Sequence, residues 1–435
     1  MTGSDPKKLL EAIFRAALVA VDPYDAVVRH TGRIRTAFEQ GNYRRLLVIA
    51  FGKAACPMAK ALEEGLFELI AAGYVITKYG HCRYDFRTIR VCEAGHPLPD
   101  ENGRRGTQEI MQLLRDADEK TLVACLISGG GSALLCSPWD GITLADKQTM
   151  TDLLLRVGAD IQELNTVRKH ISAVKGGRLA EIAYPAVILS LILSDVIGDR
   201  LDVIASGPVS PDHTTYRDAL NVLDKYGLGE SIPGSIREML RNGVKGLAPE
   251  TPKEGNPVFR ETVNTIISNN RIALKAAKAV ALSVGFDAEI LAADVSGEAR
   301  DCAKRLAEKA KEQKSRLNGR RPLCLISGGE TTVSVRGNGL GGRNMELALA
   351  FAAEIEGSKG ITLLSAGTDG TDGPTDAAGA IVDGDTIRNA WGAGIDPALY
   401  LTNNDSYHFF KKAGGLLITG PTGTNVMDVQ LMLIG

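Results

Sequence analysis

Residues 46–57 read Leu-Leu-Val-Ile-Ala-Phe-Gly-Lys-Ala-Ala-Cys-Pro. Six consecutive apolar residues form a run of strand length, the pattern of a strand buried on both faces. Gly52 then turns the chain, and Pro57 suits the first turn of a helix. Further strand patterns follow at 74–77, 89–93, 122–128 and 186–194, with helical patterns at 103–116, 144–157 and 161–183 between them. Short strands alternating with helices predict an α/β fold with a mainly parallel sheet.

The stretch 246–258, GLAPETPKEGNPV, interrupts that alternation with three prolines and no periodicity. It reads as a linker between a domain of residues 1–245 and a second of residues 259–435. Beyond it, strands are predicted at 262–267, 323–327, 331–335, 361–365, 416–419 and 426–434, and helices at 269–284 and 296–317. The pair 323–327 and 331–335 reads as a hairpin. The first forty residues are mostly helical and fit either domain. One hexapeptide, CLISGG, occurs at both 125–130 and 324–329. Either strand-then-glycine recurs by convergence, or two similar domains face each other.

Composition narrows the function classes. The 435 residues carry 50 Lys+Arg against 52 Asp+Glu, a net charge of −2, which leaves no bulk basic charge for nucleic acid. Hydrophobic residues are 44% and charged residues 23%, a globular balance. The 48 glycines exceed the usual share, so backbone turns tightly or approaches something closely at many points. Seven cysteines without a C-x-x-C suggest neither a disulfide framework nor a zinc site. The start lacks a signal-peptide core, and no apolar run has membrane-spanning length. The expectation is a reduced cytoplasmic enzyme or binding protein.

Six motifs hold residue types suited to anion chemistry. Lys53, after Gly52 and before a helix start, adds a full charge where phosphate or carboxylate is favoured. Ser128-Gly129-Gly130-Gly131-Ser132 follows a buried strand and offers backbone amides to an anion. The helical pattern around Arg168, Ser172 and Lys175 places those three on one face, either a polyanion surface or a solvated basic face. Asp195 and Asp199 lie at the carboxyl end of a strand, where α/β proteins place ligands and where carboxylates suit Mg²⁺. Gly337, Gly339 and Gly342 fit G-x-G-x-x-G, but in a hairpin context rather than the βαβ unit of a dinucleotide site. Arg343 and Asn344 there suit polyphosphate or carboxylate. Finally, Asp369, Asp372 and Asp376 crowd a glycine-rich loop, suited to a Mg²⁺-linked or hydroxyl-binding role. His96, in Gly-His-Pro-Leu-Pro, either faces a ligand or is satisfied within its loop.

Taken in order, FGKAA, EAGHPLPD, LISGGGSALL, LNTVRKHISAVKGGRLA, LSDVIGD, ASGPVSPD, SGGETTVSVRGNGLGGRNMELALA and AGTDGTDGPTDAAGA span most of the chain. In these segments the sequence resembles the bacterial glycerate 2-kinases of the two-domain type, whose C-terminal part is the MOFRL domain. The resemblance implies a Rossmann-like three-layer N-terminal domain and a second α/β domain across a cleft. It implies transfer of phosphate from ATP, with Mg²⁺, to the 2-hydroxyl of D-glycerate, giving 2-phosphoglycerate and ADP. It also implies catalytic roles for the lysine of GKAA and the arginine of GGRN, here Lys53 and Arg343. Such proteins once carried the name hydroxypyruvate reductase, so an NAD(P)H-dependent reductase is the rival activity. A non-catalytic anion-binding protein is a third class.

Phosphoryl transfer needs positioning and positive charge more than covalent chemistry. The expected clamp is therefore Lys53 and Arg343, one from each domain. Gly52, Ser128, Gly129, Gly130, Gly131, Ser132, Lys175 and Gly339 are the expected nucleotide and phosphate contacts. Asp195 is the first choice for holding Mg²⁺ or accepting the hydroxyl proton, with Asp199 and Asp372 as further metal candidates. Glu330, Arg343, Asn344 and Asp369 are the expected substrate contacts, with Glu330 orienting Arg343. The expected partners are D-glycerate and ATP, with no nucleic acid and no membrane, in a monomer or homodimer.

Overall fold

The computed structural model describes residues 5–317 and 321–435. The chain divides into two compact units, a continuous one of residues 23–267 and a discontinuous one of residues 1–22 and 268–435. No helix among the described residues is long and apolar enough to cross a membrane.

The continuous unit is built on β1 (Arg45–Phe51), β2 (Ile70–Lys78), β3 (Ile89–Ala94), β4 (Thr121–Ile127), β5 (Val187–Leu193) and β6 (Thr262–Ser268). Their order across the sheet is β3-β2-β1-β4-β5-β6. Strands β1 to β5 pair in parallel, β1 lying between β2 and β4. Alternate residues of β1 point to opposite faces. Leu47, Ile49 and Phe51 share a core with Ile110 and Leu114 of the helix Glu101–Arg115 and with Leu179 and Ala183 of the helix Arg178–Ala183. The helices Pro23–Gln40 and Ala55–Leu66 pack together, the second also against β1, β2 and β4. The parallel pairing thus accounts for why 46–51 is apolar without alternation. A separate helical core, with Leu154, Val167, Tyr216, Leu223 and Leu240, joins segments that precede and follow β5.

The chain leaves β1 toward β2 and β3 on one side, and β4 leads to β5 on the other. The sheet order therefore reverses between β1 and β4, and ligands of open α/β sheets bind outside the carboxyl ends of the strands at such a point. The residues placed there are Gly52-Lys53 after β1 and Ser128–Gly131 after β4.

The discontinuous unit holds β7 (Asp287–Glu298), β8 (Leu323–Thr332), β9 (Ile361–Gly367), β10 (Gly379–Asp383), β11 (Leu416–Leu417) and β12 (Asp428–Ile434), ordered β11-β10-β9-β12-β8-β7. This sheet is mixed: β7 is parallel to β8, while β12 is antiparallel to both β8 and β9. The helix Pro6–Ala20 belongs to this unit. Asp5 caps it by accepting from the Lys7 amide, and Leu10, Ile13, Phe14 and Ala17 form the buried stripe that helical periodicity requires.

Several expectations are corrected. The first forty residues split, the helix Pro23–Gln40 going to the continuous unit. The segment 246–258 does not connect the units but straps the helical core: Glu250 contacts His170, and Thr251 donates to Asp212. The unit boundary falls between Ile267 and Ser268. The expected helix 161–183 breaks into Ile161–His170 and Arg178–Ala183, because Ser172 and Ala173 bond Ser137 across the break. The expected hairpin at 323–335 is one strand, β8, running through Gly328 and Gly329. Gly329, at φ +145°, lies against the backbone of Val295 in β7, where a side chain would collide. Strands β7 and β10 were not anticipated: β7 is polar and half exposed, and β10 is only five residues long.

Candidate functional site

At the switch point of the continuous unit the two turns are stitched together. The Lys53 amide donates to the Gly129 carbonyl at 2.8 Å, and the Ser128 amide to the Phe51 carbonyl at 3.1 Å. The Ser128 hydroxyl accepts from the Ala54 amide at 3.1 Å. Gly52 has φ +126°, and a Cβ there would collide with the hydroxyl and carbonyl of Ser128, so only glycine allows this approach. Thr77 of β2 closes the other side by donating to the Gly52 carbonyl at 3.0 Å.

Three side chains flank the glycine turn. Gly129 packs against the Asp195 carboxylate. A Cβ on Gly130, at φ +84°, would lie 3.0 Å from the His96 ring and 3.2 Å from Lys53 Cγ. Lys53 and Asp195 also interact electrostatically: burial raises the Asp195 pKa above the usual carboxylate value, and the Lys53 charge opposes that rise. Burial, then the charges of Lys53 and Lys78, pulls His96 down to about 4, so its ring is neutral at pH 7. The His96 ring packs against the glycine turn.

The rest of the expected phosphate cradle is arranged less directly. The helix after the glycine turn is a single short turn, Gly131–Leu134. The Ser132 hydroxyl lies 2.9 Å from that of Ser206, which donates to Asn165 at 3.0 Å. Ala205 and Ser206 have φ of +51° and +62°, a left-handed conformation costly for residues with a Cβ. Lys175 is fully buried beneath them and donates to the Ala205 carbonyl at 3.3 Å. Lys175 and Ser172 therefore do not share a helix face with Arg168; both lie in the break after His170.

In the discontinuous unit, Arg343 opens the helix Arg343–Glu354 and is held by two carboxylates. It forks onto Asp428, with Nε to Oδ2 at 2.6 Å and Nη2 to Oδ1 at 2.9 Å, and its Nη1 lies 2.8 Å from Glu330. Burial lowers the Arg343 pKa, but the Asp428 bond and the charges of Asp428, Glu330 and Asp372 outweigh it and leave the guanidinium more basic than usual. Glu330 contacts Arg343 as expected. Asp428, fully buried, was not anticipated: it stands alone in an apolar strand and only tertiary pairing reveals it.

Other expected residues of this unit serve internal structure. Asp372 accepts from the amides of Asn344 and Met345 at 3.0 and 2.8 Å, so it caps the helix and its carboxylate is engaged. Burial raises its pKa to about 7 against those two bonds. Asn344 is buried and accepts from the Ser365 hydroxyl at 2.7 Å. Gly339 belongs to a loop whose amides bond to its own chain: Arg336 and Gly337 to Asn404, Asn338 and Gly339 to Asn403, and Leu340 to Asp405. Those amides are not available to phosphate. Asp369 remains partly exposed and accepts from Thr371 in a tight turn.

Asp199 lies in the turn Ile197–Asp199 after β5, with φ +53°. Among the described residues no group of three His, Cys, Asp or Glu side chains is placed to hold a metal ion.

Residues 9–241 match the model of a domain of unknown function, DUF4147, and residues 323–428 match the MOFRL family. A D-glycerate 2-kinase of Thermotoga maritima is 47% identical over 431 residues, covering 98% of each chain. A protein of Agrobacterium vitis that carries a hydroxypyruvate reductase name is 41% identical, covering 100% of this chain and 96% of its own. The crystal structure of a glycerate kinase from Thermotoga maritima superposes with a TM-score of 0.89 at 46% identity over 99% of both chains. Likeness of this extent, carried through both units, makes the chain a member of the DUF4147–MOFRL family, to which the glycerate kinases belong.

Proposed function

We propose that the protein transfers the terminal phosphoryl group of ATP to the 2-hydroxyl of D-glycerate, giving 2-phosphoglycerate and ADP. The observation that carries this reading is the convergence of Lys53, Asp195 and the Gly129–Gly131 turn at the switch point of the parallel sheet. Lys53 has no carboxylate ion pair among the described residues, so its full charge is available to a phosphoryl oxygen. The amides of Gly129 and Gly130 have no acceptor among the described residues and suit the same anion.

Asp195 takes the proton from the attacking hydroxyl. Burial raises its pKa above the usual aspartate value, the direction that favours a general base, and the Lys53 charge opposes that rise. A Mg²⁺ ion needs only one or two protein carboxylates when phosphates complete its shell. Asp195 would meet that requirement only in place of its role as base, the bound ion then neutralising charge on the phosphates. Neutral His96 packs beside Lys53 without adding charge. Arg343 is the second cation in the proposal, its guanidinium fixed in one orientation by Asp428 and Glu330.

The reductase reading has less support. The G-x-G-x-x-G glycines 337, 339 and 342 lie between β8 and the helix Arg343–Glu354, but the loop's amides from Arg336 to Leu340 are taken by residues 403–405 rather than left for a dinucleotide. The test is to mix purified protein with D-glycerate, ATP and Mg²⁺ and follow ADP, alongside NADH with hydroxypyruvate. ADP release that depends on D-glycerate is expected. NADH oxidation without ADP release would replace the kinase reading.

A further inference from the structure

His96 lies at the candidate site and has no task in the reaction scheme. It stands in the loop 95–100 after β3. That is the same edge of the parallel sheet as Lys53, after β1, and the glycine turn, after β4. The Cδ2–Nε2 side of its ring lies on the turn: a Cβ on Gly130 would sit 3.0 Å from both atoms and 3.2 Å from Lys53 Cγ. Asp195 packs against the preceding glycine, Gly129. The proposed base and the histidine therefore meet two consecutive residues of one turn, whose Cα atoms are about 3.8 Å apart.

The ring is firmly mounted and yet unpaired. Its loop is tight: a Cβ on Gly95 would lie 2.6 Å from the Leu98 carbonyl oxygen. Asp100 closes the loop, accepting from the Gly103 amide at 2.9 Å to cap the helix Glu101–Arg115 and from the Tyr79 hydroxyl at 2.6 Å. Gln148 donates to the Pro99 carbonyl at 2.7 Å. Elsewhere in the chain His30, His81, His170 and His408 each set a ring nitrogen on an oxygen of their surroundings. His96, half-buried, makes no hydrogen bond among the described residues. A polar ring held in a fixed loop without a partner is poised for one that arrives from outside the chain.

The chemistry of the ring narrows what that partner is. Burial, then the charges of Lys53, Lys78 and His81, draws its pKa down to about 4, so the ring is neutral at pH 7. A neutral imidazole carries one donor and one acceptor. Carboxylate and phosphate oxygens only accept, and the neighbouring Lys53 charge serves them better. A hydroxyl both donates and accepts, and so matches the ring. D-Glycerate has two hydroxyls on neighbouring carbons. The 2-hydroxyl goes to Asp195, at Gly129, which leaves the 3-hydroxyl for the ring at Gly130. We propose that His96 binds the 3-hydroxyl of D-glycerate and thereby selects a 2,3-dihydroxy acid over a 2-hydroxy acid that lacks that group. The assignment rests on the glycerate reading of the site. A site that hydrogen-bonds a substrate hydroxyl rejects the analogue without it, because its own polar group is left unpaired.

The test is calorimetric titration of D-glycerate, and of D-lactate, which is D-glycerate without its 3-hydroxyl, into wild type, His96→Phe and His96→Gln. Wild type is expected to bind D-glycerate about tenfold or more tighter than D-lactate. His96→Phe should bring the two acids within about twofold of each other, by weakening D-glycerate alone. His96→Gln, whose amide again offers a donor and an acceptor, should keep part of the preference. The KM for ATP should hold in both variants. A merely structural role weakens both acids together, and that outcome would overturn the assignment. So would wild type that does not tell the acids apart, or His96→Phe that keeps the wild-type preference. A raised KM for ATP with an unchanged preference would overturn it as well, by placing the ring on the nucleotide. A protein that prefers D-glycerate through His96 yet releases no ADP would uphold the assignment and remove the kinase reading alone.

Discussion

Lys53 and Arg343 are the two cations for which the resemblance implied catalytic roles, one in each unit, and their surroundings are opposite. Lys53 sits on the turn after β1, beside the buried Asp195 carboxylate and two glycine amides that have no acceptor among the described residues. Arg343 is bound by two carboxylates, one of them 0% exposed. The lysine side chain has no carboxylate ion pair among the described residues, and the backbone of its turn positions it. The arginine holds its unit together and is oriented in return. A charged residue can thus be placed either by backbone geometry or by partners, and the two placements fail differently when mutated.

The largest expected effect is at Arg343. Arg343→Ala leaves Asp428 buried and unpaired, which costs about 3–5 kcal/mol for a broken buried pair. Urea unfolding should show that loss, and the double variant Arg343→Met with Asp428→Asn should recover most of it without recovering kcat. If the double variant unfolds as early as the single one, the fork onto Asp428 is not what holds this corner. Lys53→Ala should lower kcat about a hundredfold or more while changing unfolding free energy by less than about 0.5 kcal/mol. Near-normal kcat would remove Lys53 from the chemistry, and a large stability loss would erase the contrast with Arg343.

Gly52→Ala sharpens the claim that backbone geometry places Lys53. The new Cβ meets Ser128 at a φ of +126°, so about 1–3 kcal/mol of stability should be lost, with kcat falling as the turn shifts. A variant as stable and active as wild type would mean that the turn tolerates a side chain. The smallest effect concerns pH. Because the Asp195 pKa is raised, the base is lost as pH falls through a value above the ordinary ~4 of an aspartate. Activity should therefore decline on the acid side from a higher pH than an exposed aspartate allows, and Asp195→Asn should abolish that limb together with most activity. His96, at about 4, is neutral above pH 5 and contributes no limb there.

The same contrast accounts for what the sequence revealed. Lys53, the glycines 129–131 and Asp195 were legible because each follows an apolar strand directly, and strand ends are where α/β sheets hold ligands. The Arg343 corner was legible only in part. Its arginine and Glu330 lie near one another in the chain, whereas Asp428 is 85 residues away on β12. The G-x-G-x-x-G spacing suggested a phosphate loop, yet residues 403–405, which have no apparent motif, take up its amides. Asp372 looked like a metal ligand by composition and turned out to cap a helix. The repeated CLISGG has two outcomes for the same reason. In β4 the glycines follow the strand and turn, while in β8 they lie between β7 and β12 and are paired into the sheet. Local sequence specified the strand in both cases, and the neighbours decided what its glycines do.

The proposed reaction is a phosphoryl transfer to the 2-hydroxyl, centred on Lys53. Phosphorus NMR of the product formed by wild type from D-glycerate, ATP and Mg²⁺ tests it most directly. The predicted spectrum shows ADP with 2-phosphoglycerate, and neither accumulates with Lys53→Ala. A 3-phosphoglycerate resonance, or no new phosphate ester while hydroxypyruvate is reduced at the expense of NADH, would contradict it.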